Sequence, residues 1–365
     1  MKIVNAKIYD RSLKIFRDGE LCFEDGRIVN GPSDGGTVDF GGDYVIPGLI
    51  DTHTHGRNGF DFISASVDEL RFLRKKYAEK GVTTVVPALA SDTLENMVSA
   101  VGRIREAGYR AVHIEGRYMN PKRKGAHLES LLKPLDPSEI PLFRKAAGDM
   151  HVHVSAAYEL DRDGSFLRAV LDNGMTASIA HTDASFDEAM DAVRRGVSSF
   201  THLFNAMPQI HHRAGGVIMA GILSGAYVEL ICDGFHLAPE TVRLVSRAKP
   251  LSQIVLITDS MEGAGCPDGV YSIAGKPVTV KDGKAYTEEG TISGSTLDLF
   301  TGLINFTRFS GLSLEKTVEC ASFNPASLHC LGDVGRIEPG CRADFLRLSA
   351  DYGLKEVYVG GEIVK

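Results

Sequence analysis

Between about residues 45 and 332, short unbroken apolar runs alternate with longer stretches whose apolar residues recur every three or four positions. The runs are Val45–Thr52, Val82–Leu89, Arg110–Ile114, His151–Ala157, Met175–Ala180, Val197–Thr201, Ala226–Cys232 and Gln253–Thr258. An unbroken run suits a strand buried on both faces, as in a parallel sheet, and the intervening periodicity, near 92–107 and 137–147 for example, suits helices. Eight strand-then-helix units predict an α/β protein built on a closed (β/α)8 barrel. An open doubly wound sheet is the rival, but no Gly-x-Gly-x-x-Gly follows the first run. Residues 1–44 and 333–365 differ: short β-rich runs sit among glycine pairs such as Gly41-Gly42 and Gly360-Gly361. They predict a small β-sandwich made from both termini. A hairpin inserted near 271–291, around Asp282-Gly283, is assigned to that sandwich.

Composition narrows the partners. The 365 residues are 43% hydrophobic and 24% charged, as in a globular enzyme-sized chain, with a net charge of −7. That balance argues against nucleic acid or an anionic membrane as partner, and Lys122-Arg123-Lys124 reads as a solvated loop. No apolar run reaches the roughly 18 residues of a membrane helix. Met1 to Lys7 lacks an apolar signal core, so a cytoplasmic location is expected. The six cysteines are dispersed, which reads as reduced thiols and not as a disulfide framework or a thiolate metal site.

The polar chemistry collects at the carboxyl ends of the predicted strands, where barrels of this kind place their reactive groups. His53 and His55 close the first run in Pro47-Gly-Leu-Ile-Asp-Thr-His-Thr-His-Gly56, and their i, i+2 spacing puts both on one strand face. Glu115 ends strand three, His181 strand five, His202 strand six and Asp259 strand eight. Any one of these alone has an ordinary packing role; six at the same end of five strands predict a metal cluster. Nitrogen and oxygen ligands suit zinc, iron or manganese. Glu115 can bridge two ions about 3.5–4 Å apart, a pair that acidifies a shared water. Asp259 could accept that water's proton and pass it to a leaving group.

These residues resemble the amidohydrolase superfamily, and within it the N-acetylglucosamine-6-phosphate deacetylases. The resemblance covers essentially the whole chain and rests on Thr201-His-Leu-Phe-Asn-Ala-Met-Pro208, Lys124-Gly-Ala-His127, Asp233-Gly-Phe-His236, Thr258-Asp259 and Ile292-Ser-Gly-Ser295. It implies hydrolysis of the acetamide of N-acetyl-D-glucosamine 6-phosphate to D-glucosamine 6-phosphate and acetate. By the same resemblance Glu115, His181 and His202 hold a tighter divalent ion. His53 and His55 hold a second one, with Glu115 bridging, so one or two ions are expected per subunit. Asp259 is then the general base and acid. Asn205, Ala206 and Arg213 contact phosphate. Ala126, His127 and His236 contact the sugar and the acetamide, and Ile292, Ser293 and Gly294 line the sugar pocket. A homodimer is implied as well.

Two positions depart from that family's pattern: Arg117 stands where proline is usual, and Tyr158 replaces the proline of Ala-Pro-Glu. They keep open another epimer, such as N-acetylgalactosamine 6-phosphate, or another N-acyl amino-sugar phosphate. A cyclic amidase or deaminase is the next alternative, and a non-catalytic binding protein the last. Of the remaining histidines, His151 and His153 read as structural, His113 as pointing away from Glu115, His211 and His212 as loop residues that are either solvated or have one ring on a phosphate, and His329 as without chemistry.

Overall fold

The computed structural model describes residues 1–31 and 35–365. Eight parallel strands stand side by side in chain order: Leu49–Thr54, Val82–Leu89, Ala111–Ile114, His151–Ala156, Thr176–Ile179, Ser199–Phe200, Tyr227–Ile231 and Ile254–Ile257. Just beyond the eighth, Ser260 pairs in parallel with Thr54, and the Asp259 N–H donates to the His53 carbonyl at 2.8 Å. That closes the barrel. Each strand is followed by a helix, from Val67–Ala78 after the first to Leu299–Ser310 after the eighth. Helix starts are written locally. Ser66 accepts from the Glu69 N–H while the Glu69 carboxylate accepts from the Ser66 N–H, and Ser185 with Glu188 repeats the device.

The expected first run, Val45–Thr52, is two strands. Tyr44–Pro47 belongs to the terminal sheet, pairing with Phe345–Leu348, and only Leu49–Thr54 enters the barrel. The chain changes sheets at Gly48, whose N–H donates to the Asp344 carbonyl while that of Leu49 donates to Gly81. A Cβ at Gly48 would stand 2.2 Å from the Thr83 hydroxyl, so only glycine lets the two layers approach.

The two ends of the chain build one hydrogen-bonded sheet. It runs from Glu362–Ile363 through Leu354–Val359, Phe345–Leu348, Tyr44–Pro47, Lys2–Asp10 and Ile15–Glu24 to Arg27–Val29, with Thr37–Asp39 added beside Lys2–Val4. The sheet curls until strands far apart in its order touch, which gives the two layers of the expected sandwich. Phe23 meets Phe345 at 5.6 Å between ring centroids, and Phe345 stacks on Tyr358 at 4.3 Å. Such aromatic pairs add about 0.5–1.5 kcal/mol beyond the area they bury.

The late hairpin is placed differently from the expectation. Gly269–Ile273, Lys276–Lys281 and Lys284–Tyr286 form a separate three-stranded sheet that pairs with no strand of the terminal sheet. Its apolar face, Ile273, Val278, Val280 and Ala285, packs on Met261 just past barrel strand eight. It therefore overhangs the carboxyl end of the barrel. Among the described residues no helix is long and apolar enough to cross a membrane.

Candidate metal centre and cavity

Glu115 follows strand three and is buried, with its two carboxylate oxygens facing different histidine pairs. Oε1 lies 2.9 Å from His202 Nε2 and 3.2 Å from His181 Nε2, which are themselves 3.2 Å apart. Oε2 lies 3.1 Å from His55 Nε2 and 3.3 Å from His53 Nε2. Asp259 Oδ1 joins the second group, 3.2 Å from His55 Nε2 and 3.7 Å from His53 Nε2.

The outer ring nitrogens settle the tautomers. His181 Nδ1 lies 2.8 Å from the Arg123 carbonyl and His55 Nδ1 3.1 Å from that of Ala88. A carbonyl can only accept, so each Nδ1 carries its proton and each Nε2 turns a lone pair inward. His53 Nδ1 is bound to the Glu229 carboxylate at 3.2 Å, while its Nε2 is buried with no hydrogen-bond partner. Lone pairs converging on a carboxylate repel it unless a positive charge lies between. The donor set therefore fits a divalent ion of borderline softness.

Without an ion, protons supply the missing charge. Burial alone would lower His55, but the Asp259 and Glu115 carboxylates raise it to about 10. His53 is likewise driven well above the ordinary value despite its burial. Burial works against the ionised forms of Glu115 and Asp259, yet the surrounding imidazoles hold Glu115 well below the carboxylate range and Asp259 down at about 2.

Three of these residues sit where the strand has just ended and carry positive φ: His181 at 43°, His202 at 32° and Asp259 at 49°. That region disfavours any residue with a Cβ, at roughly 1–3 kcal/mol each. The turn swings their side chains into the barrel mouth. Backbone bonds to His53 on one side and Ser295 on the other hold Asp259 in this conformation. Gly116 lets the Glu115 loop press on its neighbour, since a Cβ there would meet Ser91 backbone atoms at 2.8 Å.

Above the cluster lies a cavity of about 450 Å³, lined by His55, Glu115, His181, His202 and Asp259. Among the residues expected to meet a substrate, Ala126, His127, Asn205, Ala206, His236, Ile292, Ser293 and Gly294 line it too. His127 accepts the Ser91 N–H at Nδ1, which leaves Nε2 as a donor, and burial brings it down to about 3, so it is neutral. His236 is clamped through Nδ1 to Asp233 at 2.6 Å. Arg213 is exposed, does not line the cavity, and rests its guanidinium on His212 at 2.7 Å. His53 lies beneath the floor.

Several neighbours escaped the sequence reading. Ile273, Ala274, Gly290 and Thr291 enter the wall only because the three-stranded sheet overhangs the mouth. Glu229, buried in strand seven, supports both His53 and the His202 N–H. The signal was a lone carboxylate inside Val228-Glu229-Leu230-Ile231. His113 requires a correction. Two residues from Glu115 in a strand, it must share that residue's side, and its ring stands 4.6 Å from that of His53, bonded to Ser155 at 2.7 Å. Arg117 turns away from the cluster, with Nη2 2.9 Å and Nε 3.2 Å from the Glu139 carboxylate. Tyr158 is buried against the Val154 carbonyl, and Glu159 binds Asn120, Thr182 and Asp183.

Residues 44–364 match the pattern of the Amidohydrolase family. The N-acetylglucosamine-6-phosphate deacetylase of Bacillus subtilis is 33% identical over 320 residues, covering 84% of this chain and 81% of its own. The N-acetylgalactosamine-6-phosphate deacetylase of Escherichia coli O157:H7 is 29% identical over 331 residues, covering 87% of each. A mutant N-acetyl-D-glucosamine-6-phosphate deacetylase of Mycobacterium smegmatis, solved with N-acetyl-D-glucosamine-6-phosphate, superposes with a TM-score of 0.91 at 30% identity. That match covers 100% of this chain and 99% of the other.

Proposed function

Because the chain belongs to the amidohydrolase family, we propose that it hydrolyses the acetamide of N-acetyl-D-glucosamine 6-phosphate, releasing acetate and D-glucosamine 6-phosphate. The observation that carries this reading is Glu115, with each carboxylate oxygen facing two imidazole nitrogens at 2.9–3.3 Å on the floor of a substrate-sized cavity. Relatives and a solved neighbour with that activity support the substrate.

On this reading Glu115, His181 and His202 would hold one divalent ion, and His53, His55 and Glu115 would hold a second. Zinc, iron and manganese all suit the donors. A divalent ion there supplies Lewis acidity, polarising the amide carbonyl and acidifying a water. Asp259, ionised and open to the cavity, takes the proton of the attacking water and delivers it to the departing amine. His127, a neutral donor at Nε2, and His236, fixed by Asp233, orient the acetamide and the sugar. Asn205 and Ala206 receive the phosphate, with Ala126, Ile292, Ser293 and Gly294 along the sugar. Arg213 would leave His212 to reach the phosphate or act on a neighbouring subunit's site. The homodimer and the cytoplasmic location belong to the same proposal.

The test is acetate release from the 6-phosphates of N-acetylglucosamine and N-acetylgalactosamine, with wild type and Asp259→Asn. Turnover of the gluco epimer should dominate. Asp259→Asn keeps an oxygen facing the site and removes none of the five proposed metal ligands, so metal content should hold while kcat falls about 10²–10⁴-fold, the usual share of a general acid–base. Full activity in the variant removes Asp259 from the mechanism.

A further inference from the structure

At the opposite end of the barrel from Glu115, strand four begins with His151 and His153, which share a face. His329, just after the helix Phe323–Leu328, comes down beside them, its ring 4.8 Å from that of His153 and 5.7 Å from that of His151. One ring nitrogen from each lies within 4.8 Å of the other two. His151 Nε2 and His153 Nδ1 both lean on the Thr176 hydroxyl, at 2.8 and 2.6 Å, and His153 Nε2 lies 3.1 Å from the Ser199 hydroxyl, so His153 exchanges one of these bonds for an ion. His329 has nothing: both nitrogens are buried without a hydrogen-bond partner in a residue 0% exposed. A buried polar group left so destabilises the fold until something binds it. A cavity of about 430 Å³ opens at this end and includes His151 and Cys330 in its wall, so small solutes can arrive from solvent.

We infer that His151, His153 and His329 form a second metal site, separate from the catalytic centre, that takes one Zn²⁺ ion. Three imidazoles with a solvent molecule in the fourth position make a known zinc coordination set. Burial lowers all three imidazoles, His151 to about 4, so they are neutral, the form that ligates. Ligation gives the His329 ring the partner it lacks and joins the late helix to strand four. The site is looser than the catalytic one. Tetrahedral zinc with bonds of about 2.0–2.1 Å wants nitrogens roughly 3.4 Å apart. The catalytic nitrogens of His181 and His202 already stand at 3.2 Å, whereas here the side chains must draw in from within 4.8 Å. The second site should therefore empty first.

The test is zinc content after chelator stripping and equilibrium dialysis against Zn²⁺, measured on the full-length protein. Wild type should hold one more equivalent than His329→Asn or His151→Asn, with kcat unchanged in both. His151 lies at the partly exposed edge, so its variant reports even where His329→Asn folds poorly. The same equivalent should be lost when His329→Asn is placed on Glu115→Gln, which separates this site from the catalytic reading. Equal zinc in wild type and both variants, or loss only when Glu115 is changed, overturns the site.

Discussion

Replacing Glu229 with glutamine tests how much of the metal centre depends on a residue that never reaches the cavity. Glu229 is fully buried, and one oxygen, Oε2, serves two groups: His53 Nδ1 at 3.2 Å and the His202 N–H at 3.3 Å. Oε1 has no partner. In Glu229→Gln the amide oxygen can keep both contacts, but as neutral hydrogen bonds worth about 0.5–1.5 kcal/mol instead of the 1.5–3 typical of a charged acceptor. The new NH₂ lands at the Oε1 position, where no acceptor waits, at about 1–3 kcal/mol of stability. His53 loses the carboxylate that fixes its tautomer and raises the basicity of Nε2. Losing such an outer partner typically weakens metal binding 10–100-fold, or about 1.4–2.7 kcal/mol. Competition titration with a chromophoric chelator measures this directly, with circular dichroism melts recording the stability loss. The expected result is a 10–100-fold rise in Kd for the ion shared with His53 and a lower melting temperature. Unchanged metal affinity and kcat would show that His53 is oriented without Glu229, and the argument from its buried carboxylate would be wrong.

Two further outcomes follow from the same geometry. Arg117→Pro, which introduces the residue usual in the resembling family, should be severely destabilising in a thermal melt. Arg117 has φ of 68° and its N–H donates to Ser91 at 2.9 Å, while proline requires φ near −65° and has no N–H. Wild-type stability in the variant would mean that this loop tolerates a second path. Metal binding should also release protons. His55 stands at about 10 without metal, so at pH 7.5 it carries a proton that an incoming ion must expel. Affinity should therefore fall as pH falls, by about tenfold per unit for each proton displaced. The same pairing stabilises the metal-free fold below pH 6.5, the ordinary histidine value, and is lost as pH rises through about 10. Calorimetry in two buffers of unlike ionisation enthalpy counts the protons, and a count of zero refutes the assignment.

Linear order along the chain carried the barrel and the cluster at its mouth. Strands buried on both faces must be written as apolar runs, and residues that end such runs must emerge together at one rim. So the convergence of His53, His55, Glu115, His181, His202 and Asp259 is legible in the sequence. Chain order could not show where one sheet hands over to another. Val45 to Thr52 reads as one strand, and only the contact of Gly48 with Thr83 divides it. Nor could it show that the sheet from Gly269 to Tyr286 overhangs the cavity, because its anchor on Met261 is a packing contact without a local pattern. Glu229 and Arg117 belong to the same class. Their roles come from partners 176 and 22 residues away, His53 and Glu139. Periodicity reports which face a side chain takes, whereas what that face meets is decided only when distant segments pack.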